Sequence, residues 1–219
     1  RPNRIMHASV RSASRRTFEL VFVNQSCTSR TACVFQTESC VSMEDVRPLA
    51  WLVQGAMPTT EIAFAWRLEY GFSCSATGPL SAPGARFVPV QIWPADVAST
   101  NEVTLFCWRG SHVMMAQRRG PIPGALTIVV DGSVTPEEAS VGIAVGGVPA
   151  YAIQAFPNTS MHLVPRIPRF HVTTGAIAAG DVLDERALAS AAEIPFTEDL
   201  PAMRAILSGE GTWRIEPKR

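Results

Sequence analysis

Two imidazole and two guanidinium groups occur within eleven residues of this chain, in a segment that looks extended. The segment runs from Met161 to His171 and contains His162, Arg166 and Arg169. Imidazole is the side chain best suited to moving protons near neutral pH, so His171 is a candidate proton-transfer group. The simpler interpretation is an edge strand held by prolines, with its arginines in water.

Asp131 is the second candidate for proton transfer. It follows the apolar run Leu126 to Val130 and is followed by Gly132. Aspartate beside glycine commonly accepts hydrogen bonds from backbone amides in a turn, which is the simpler interpretation here. If the protein is an enzyme, we expect His171 or Asp131 to act as the proton-transfer group.

Large aromatic side chains are the candidates for ligand contact. The chain has five tryptophans, at Trp51, Trp66, Trp93, Trp108 and Trp213. Tryptophan on a sheet usually packs in the core, but it also stacks on sugars or lines apolar pockets. We take Trp66, Tyr70, Trp93 and His171 as the candidate ligand-binding residues.

The histidines and cysteines lack the spacing of metal sites. The four histidines are His7, His112, His162 and His171, and none belongs to a His-x-x-x-His or His-Glu-x-x-His motif. No Cys-x-x-Cys, nucleophile elbow of the Gly-x-Ser-x-Gly type or glycine-rich phosphate loop occurs. We therefore expect neither a metal nor an organic cofactor.

An odd number of cysteines cannot pair completely within one chain. They are Cys27, Cys33, Cys40, Cys74 and Cys107. Buried or incidental thiols are the simpler interpretation. A bridge among Cys27, Cys33 and Cys40 is the alternative, and it would need an oxidising compartment.

Charge is balanced over the whole chain but not at its start. Nineteen basic residues match nineteen acidic ones, so general nucleic-acid binding is disfavoured. Residues 1–16 nevertheless form a basic arm without any acidic residue; its arginines are Arg1, Arg4, Arg11, Arg15 and Arg16. We predict that Arg4, Arg11, Arg15 and Arg16 dock the arm on a second copy or another protein. The alternatives are a solvated arm and an arm folded back on its own sandwich.

The arm also resembles a targeting signal. Arg15 and Arg16 precede Thr17 and Phe18 as in twin-arginine signals, but the apolar run that follows contains Glu19 and is short. No stretch approaches about 18 apolar residues, so no transmembrane helix is predicted. We expect a cytoplasmic protein, or a secreted one if an upstream signal has been removed.

One stretch predicts the architecture that must position these groups. Between Glu61 and Tyr70 every second residue is large and apolar: Ile62, Phe64, Trp66, Leu68 and Tyr70. Because strand side chains alternate between faces, this run predicts a strand with one buried face and with Glu61, Arg67 and Glu69 in water. Such alternation is typical of antiparallel sheets covered on one side.

Similar segments recur along the chain between turn signals. Further strands are predicted at 17–24, 32–37, 86–93, 102–108, 126–130, 141–145 and 170–174, with 61–72 as the central one. Only 184–192 and 200–207 look helical. We predict an all-β protein, an antiparallel β-sandwich of jelly-roll type, with one or two short helices near the C-terminus. Residues 17–219 form its single domain.

The order of several short motifs adds a family resemblance. They include Asn24-Gln25-Ser26, Cys33-Val34-Phe35-Gln36-Thr37, Leu49-Ala50-Trp51, Thr77-Gly78-Pro79-Leu80, Gln91-Ile92-Trp93-Pro94, Ser140-Val141-Gly142-Ile143, Pro157-Asn158 and Gly211-Thr212-Trp213. From Phe18 to Trp213 the chain resembles the rhizosphere-induced (RhiA-like) proteins of soil bacteria and fungi. The resemblance implies a compact soluble protein and supplies no catalytic residue.

These observations favour a binding or assembly protein that needs no cofactor. The first alternative is a cofactor-independent cyclase or isomerase that holds an apolar small molecule in an aromatic-lined pocket. The second is a lectin-like module that binds sugar, with Trp93 or Trp108 exposed beside Asp96. A closed apolar cavity would favour the enzyme, and its absence would favour assembly.

Overall fold

The computed structural model describes residues 17–37, 46–165, 168–197 and 199–218. The basic arm, Cys40 and Arg166 lie outside the described residues. Within them the chain forms strands and one short helix, α1 (Glu185–Ala189). The strands are β1 (Thr17–Asn24), β2 (Arg30–Thr37), β3 (Arg47–Pro48), β4 (Leu52–Ala56), β5 (Glu61–Arg67), β6 (Tyr70–Ser75), β7 (Gln91–Pro94), β8 (Glu102–Trp108), β9 (Ser111–Arg118), β10 (Leu126–Val130), β11 (Ser140–Val145), β12 (Val148–Gln154), β13 (Thr159–Leu163), β14 (Arg169–Thr174), β15 (Ala192–Ile194), β16 (Ala202–Leu207) and β17 (Trp213–Pro217).

A first pair of sheets is built mainly from the two ends of the described chain. One sheet has the strand order β17-β16-β1-β5, and the other has the order β15-β14-β2-β4. Their alternating apolar residues meet in one core, which includes Phe22, Phe64 and Trp66 from one sheet and Val34 and Phe170 from the other. Strand β5 faces this core with the alternation that its sequence predicts: Phe64 and Trp66 are buried, whereas Glu61 and Arg67 are exposed.

A second pair of sheets is built mainly from the middle of the chain. It consists of the five strands β3-β12-β11-β6-β7 and the four strands β13-β10-β8-β9. Its core contains Phe72, Leu105, Met114, Ile128 and other apolar side chains from both sheets. Val46 and Tyr70 pack against both cores, so these two residues connect the sheet pairs.

Glutamine side chains join the two sheets of the second pair along one side. Gln91 on β7 accepts a hydrogen bond from the backbone N–H of Met114 on β9, at 2.6 Å. Gln117 on β9 donates its side-chain N–H to the carbonyl oxygen of Pro94 on β7, at 2.5 Å. The neighbouring edges β7 and β9 are therefore held together by side chains as well as by packing.

The all-β prediction is confirmed, and most strand pairs are antiparallel. The structure adds two parallel pairs, β1 with β16 and β10 with β8. The short helix predicted at 184–192 is α1, where Asp184 caps the helix by accepting a hydrogen bond from the N–H of Ala187.

The predicted helix at 200–207 is wrong, because residues 202–207 form strand β16. Ala, Met, Arg and Leu favour helices intrinsically, but tertiary packing overrides that preference. Met203, Ala205 and Leu207 enter the first core, while Arg204 on the other face pairs with Glu61 at 2.6 Å. This is the period of a strand.

Two other predicted boundaries also differ. The single strand predicted at 61–72 is interrupted between Arg67 and Tyr70, so that its two halves enter different sheet pairs. Of the strand predicted at 86–93, only residues from Gln91 onward pair as a strand, β7. Pro89 has no N–H to give to a ladder, which favours an irregular segment before it.

Candidate functional site

Trp66 lies in the first core. Its side chain is 5% exposed and is surrounded by Phe18, Trp51, Phe170 and Phe196. The closest of these rings is Phe170, with the two centroids 5.1 Å apart. Trp66 therefore fills space between two sheets in the described structure.

His171 and Asp131 are in different sheet pairs. His171 is next to the core residue Phe170 on β14 and lies on the opposite face, where its ring stacks on Phe35 at 5.2 Å. Asp131 follows β10 and accepts a hydrogen bond from the N–H of Ser133 at 2.9 Å. Hydrogen bonds from Ser133 lower the pKa of Asp131, which makes it a weaker base.

The other two candidate ligand-binding residues, Tyr70 and Trp93, are both half-buried and pack against the second core. Tyr70 is half-buried between the two cores, and desolvation by burial raises its pKa. Trp93 is half-buried on β7 opposite Phe72 and packs against the second core. In the described part of the chain the four candidate ligand-binding residues therefore lie at separate positions.

The two cavities described for the chain do not contain these residues either. A small cavity lined by apolar side chains such as Val46, Tyr151 and Met161 has a volume of about 10 Å³, which is room for one water molecule. An open hollow of about 280 Å³ is formed by the loop at residues 77–86. Neither is an enclosed pocket for an apolar substrate.

An aromatic and polar surface lies at one end of the β13-β10-β8-β9 sheet. We call it the Trp108 surface, and it comprises Trp108, Arg109, Asp131, Ser133, Phe156 and Asn158. Trp108 is 63% exposed and Phe156 is 46% exposed. Large apolar side chains exposed to this degree at neighbouring loops are candidates for ligand contact.

A tight hairpin presents Trp108. Arg109 and Gly110 connect β8 to β9 with positive φ angles of 50° and 78°, as a two-residue turn of type I′ requires. Positive φ costs a residue other than glycine on the order of 1 kcal/mol. In this conformation the guanidinium carbon of Arg109 lies 5.7 Å from the centroid of the Trp108 ring, a cation–π contact.

The turn after β10 is fixed directly beside this hairpin. The backbone N–H of Cys107 donates to Ser133 Oγ at 3.0 Å, and the N–H of Asp131 donates to the carbonyl oxygen of Leu105 at 2.9 Å. These bonds place Asp131 and Ser133 next to the end of β8. The same turn therefore carries the carboxylate of Asp131 to the end of the sheet where β8 leads into the Trp108 hairpin.

A third loop, between β12 and β13, completes the surface. Asn158 has a φ of 58°, and its side chain lies against Gly132: a Cβ atom added at Gly132 would be 2.9 Å from Asn158 Oδ1. Thr159 Oγ1 donates to the carbonyl oxygen of Phe156 at 2.6 Å, which fixes the loop. Two exposed aromatic residues therefore flank the turn that carries the carboxylate of Asp131 and the hydroxyl of Ser133, and the amide of Asn158 lies beside that turn.

The expected lectin geometry is met only in part. Trp108 is exposed, as that alternative requires, but Asp96 lies in the turn that precedes β8. Trp108 is the last of the seven residues of β8, so a strand of about 20 Å separates the two. The sequence contained one signal for the observed surface: Trp108 immediately precedes Arg109-Gly110, a dipeptide suited to a hairpin turn.

The described residues show no group of three His, Cys, Asp or Glu side chains that could hold a metal ion. Cys27, Cys33, Cys74 and Cys107 are free thiols, so Cys27 and Cys33 are not bridged, and Cys40 is outside the described residues. The one helix described, α1, is too short to cross a membrane.

Comparisons with known proteins extend over nearly the whole chain. A sequence model for the family described as RhiA matches residues 15–218. The chain is 28% identical over 203 residues to "Protein RhiA" of Rhizobium leguminosarum bv. viciae, and the match covers 91% of this chain and 86% of that protein. No solved structure matches the chain.

Proposed function

The chain belongs to the RhiA family, and from the side chains that it exposes we propose that it is a binding protein that works without a cofactor. The ligand contacts the Trp108 surface. The observation that carries this proposal is the exposure of Trp108 and Phe156 on either side of the turn at residues 131–133. Exposed aromatic rings that are grouped beside hydrogen-bonding side chains are a combination that ligand sites use.

A sugar is the ligand class that fits this combination. A pyranose ring has an apolar C–H face that stacks on an indole, and hydroxyl groups around its edge that need hydrogen-bond partners. Asp131 supplies acceptors, Asn158 supplies both donors and acceptors, and Ser133 supplies a hydroxyl. Asp131 remains an acceptor over a wide pH range, because its pKa is lowered.

The surface is open, so the expected affinity is low. Loops form it without enclosing a pocket, and a ligand there would keep much of its own area in water. We expect dissociation constants of about 1 mM for single sugars, which corresponds to about −4 kcal/mol. Oligosaccharides that reach both Trp108 and Phe156 should bind more tightly.

Titration calorimetry and tryptophan fluorescence with a panel of neutral mono- and oligosaccharides test the proposal. We expect Trp108→Ala to abolish measurable binding and Phe156→Ala to weaken binding of the longer sugars only. Met57→Ala is the matched control, because Met57 is 65% exposed but belongs to the first sheet pair. Binding that survives Trp108→Ala, or no binding to any sugar of the panel, would count against the proposal.

The cyclase or isomerase alternative is less well supported by the described cavities. That chemistry needs a substrate enclosed away from water, whereas the apolar cavity described has a volume of about 10 Å³. Association through the basic arm stays a prediction, and its test is given in the Discussion.

A further inference from the structure

Three side chains form a continuous hydrogen-bonded series on the outer face of β10 and β13. Ser160 Oγ lies 3.1 Å from His162 Nε2. The other ring nitrogen, Nδ1, lies 3.1 Å from Thr127 Oγ1. A hydroxyl, an imidazole and an orienting group in this order have the arrangement of an activated nucleophile.

Strand register fixes this arrangement. Thr127 and His162 are direct partners across the antiparallel pair, and Ser160 is two residues before His162 on the same face. The N–H of Thr127 donates to the carbonyl oxygen of Asn101, on the β8 side, at 2.7 Å. Thr127 and His162 are therefore a non-hydrogen-bonded pair, the type in which opposing side chains are closest.

Solvent exposure increases along the series from Thr127 to Ser160, and a nucleophile must be exposed for a substrate to reach it. Thr127 is 1% exposed, so its hydroxyl is held in place by the surrounding sheet. His162 is half-buried, and Ser160 at the other end is exposed. The hydroxyl that a substrate can reach is thus that of Ser160, which is bonded to Nε2. The buried hydroxyl of Thr127, bonded to Nδ1, fixes the orientation of the ring.

We propose that Ser160 is a catalytic nucleophile for the hydrolysis of uncharged carboxylic esters, with His162 as its general base and Thr127 as a positioning residue. Ser160 Oγ attacks the ester carbonyl carbon while its proton passes to His162 Nε2. The bond from that carbon to the alcohol oxygen breaks, and the alcohol leaves with the proton from Nε2. Water then gives a proton to Nε2 and attacks the acyl carbon. The acid is released, and Ser160 takes the proton back.

The same register provides a donor for the negative oxygen of the intermediate. Ser160 is paired with Val129, which lies two residues after Thr127 on β10 and therefore has the same backbone orientation. Val129 and Ser160 are thus also a non-hydrogen-bonded pair, and the backbone N–H of Ser160 points away from β10. It can donate to an oxyanion formed beside Ser160 Oγ. Val129 and Phe106 are half-buried on the same face, and they offer an apolar contact for the acyl group.

Covalent labelling tests the nucleophile, and turnover tests its activation. The purified protein is treated with a fluorophosphonate and analysed by peptide mass mapping, and p-nitrophenyl acetate hydrolysis is followed separately. We expect the adduct on Ser160, and about a 100-fold slower hydrolysis in His162→Gln. Ser160→Ala should lose both signals.

Two further comparisons separate catalysis from a structural role. Thr127→Val should slow hydrolysis about 10-fold, and Thr127→Ser should restore it, because serine returns the hydroxyl without the methyl group. Ser208→Ala is the control: its hydroxyl also bonds a threonine hydroxyl, that of Thr212, at 2.7 Å, but no histidine hydrogen bond is described for it. An unlabelled Ser160, or labelling and hydrolysis that are unchanged in His162→Gln, would overturn the proposal. Loss of sugar binding in Trp108→Ala is independent of these outcomes.

Discussion

The rings of Trp66 and Phe170 pack with their centroids 5.1 Å apart and their planes at 48°, across the gap between the two sheets of the first pair. Trp66 belongs to β5 and Phe170 to β14, so this contact joins one sheet to the other. The indole N–H of Trp66 is buried and has no hydrogen-bond partner among the described residues. Trp66 contributes by its volume and ring contacts, and its polar atom is a cost.

Removing this ring should strongly destabilise the protein. We expect Trp66→Ala to lower the free energy of unfolding by about 3 to 5 kcal/mol, because a large cavity remains between the sheets. Trp66→Phe should cost much less, since it keeps an aromatic ring and removes the unpaired N–H. Trp108→Ala is the matched control and should change stability by no more than about 0.5 kcal/mol, because Trp108 is exposed. Urea unfolding followed by circular dichroism measures all three, and equal losses at both tryptophans would contradict the packing.

A second prediction concerns a close approach of backbones inside the second sheet pair. A Cβ atom at Gly142 would lie 2.2 Å from the carbonyl oxygen of Tyr151, so Gly142→Ala must push β11 and β12 apart. We expect a loss of more than about 2 kcal/mol. A Cβ atom added at Gly55 in β4 would have no atom within 4 Å, and Gly55→Ala should be neutral or slightly stabilising. Thermal melts of the two variants provide the comparison, and similar melting temperatures would refute it.

Stability at alkaline pH should depend on two buried thiols. Desolvation raises the pKa of Cys33 to about 12 and that of Cys74 to about 11, from a value of 9.0. Above pH 9 the unfolded chain therefore loses protons that the folded chain keeps, and the free energy of unfolding falls as pH rises towards 11. The slope is about 1.4 kcal/mol per pH unit for each thiol.

Urea titrations between pH 8 and 10.5 measure this slope. Cys33→Ala should make it shallower, whatever its effect on stability at pH 8. Cys27→Ala serves as the control, because Cys27 is exposed and free, and it should leave the slope unchanged. Identical slopes in wild type and Cys33→Ala would show that the buried thiol does not contribute.

The fourth prediction concerns residues 1–16. Five arginines and no acidic residue lie there, so the remaining chain has five more acidic than basic residues. We expect the arm to dock on an acidic surface of a second copy and deletion of residues 1–16 to reduce the molar mass in light scattering. Replacing Arg4, Arg11, Arg15 and Arg16 by glutamine should have the same effect without shortening the chain. The same number of chains per particle before and after deletion would rule out self-association through the arm.

Sequence periodicity predicted the buried face of β5, because alternation along one strand depends only on neighbouring residues. It could not predict β16, since Met203 and Ala205 become a strand face only when β1 lies beside them. It also could not tell whether Trp108 is covered. The outer face of β2 is covered by the segment that contains Ile177 and Leu183, whereas Trp108, on the outer face of another sheet, remains exposed. Whether the outer face of a sheet is buried depends on where segments that are distant in the sequence cross it, and local periodicity does not contain that information.

The parallel pairing of β1 with β16 affects the order in which the two sheet pairs can fold. Most strands of the second sheet pair follow one another between Tyr70 and Leu163, so that pair can form before the C-terminal strands exist. Strand β1, by contrast, cannot pair with β16 before the residues from Ala202 onward have been synthesised. Closing so long a loop is slow in all-β proteins. During synthesis β1 therefore has β5 on one side and an open edge on the other until residues 202–207 have left the ribosome.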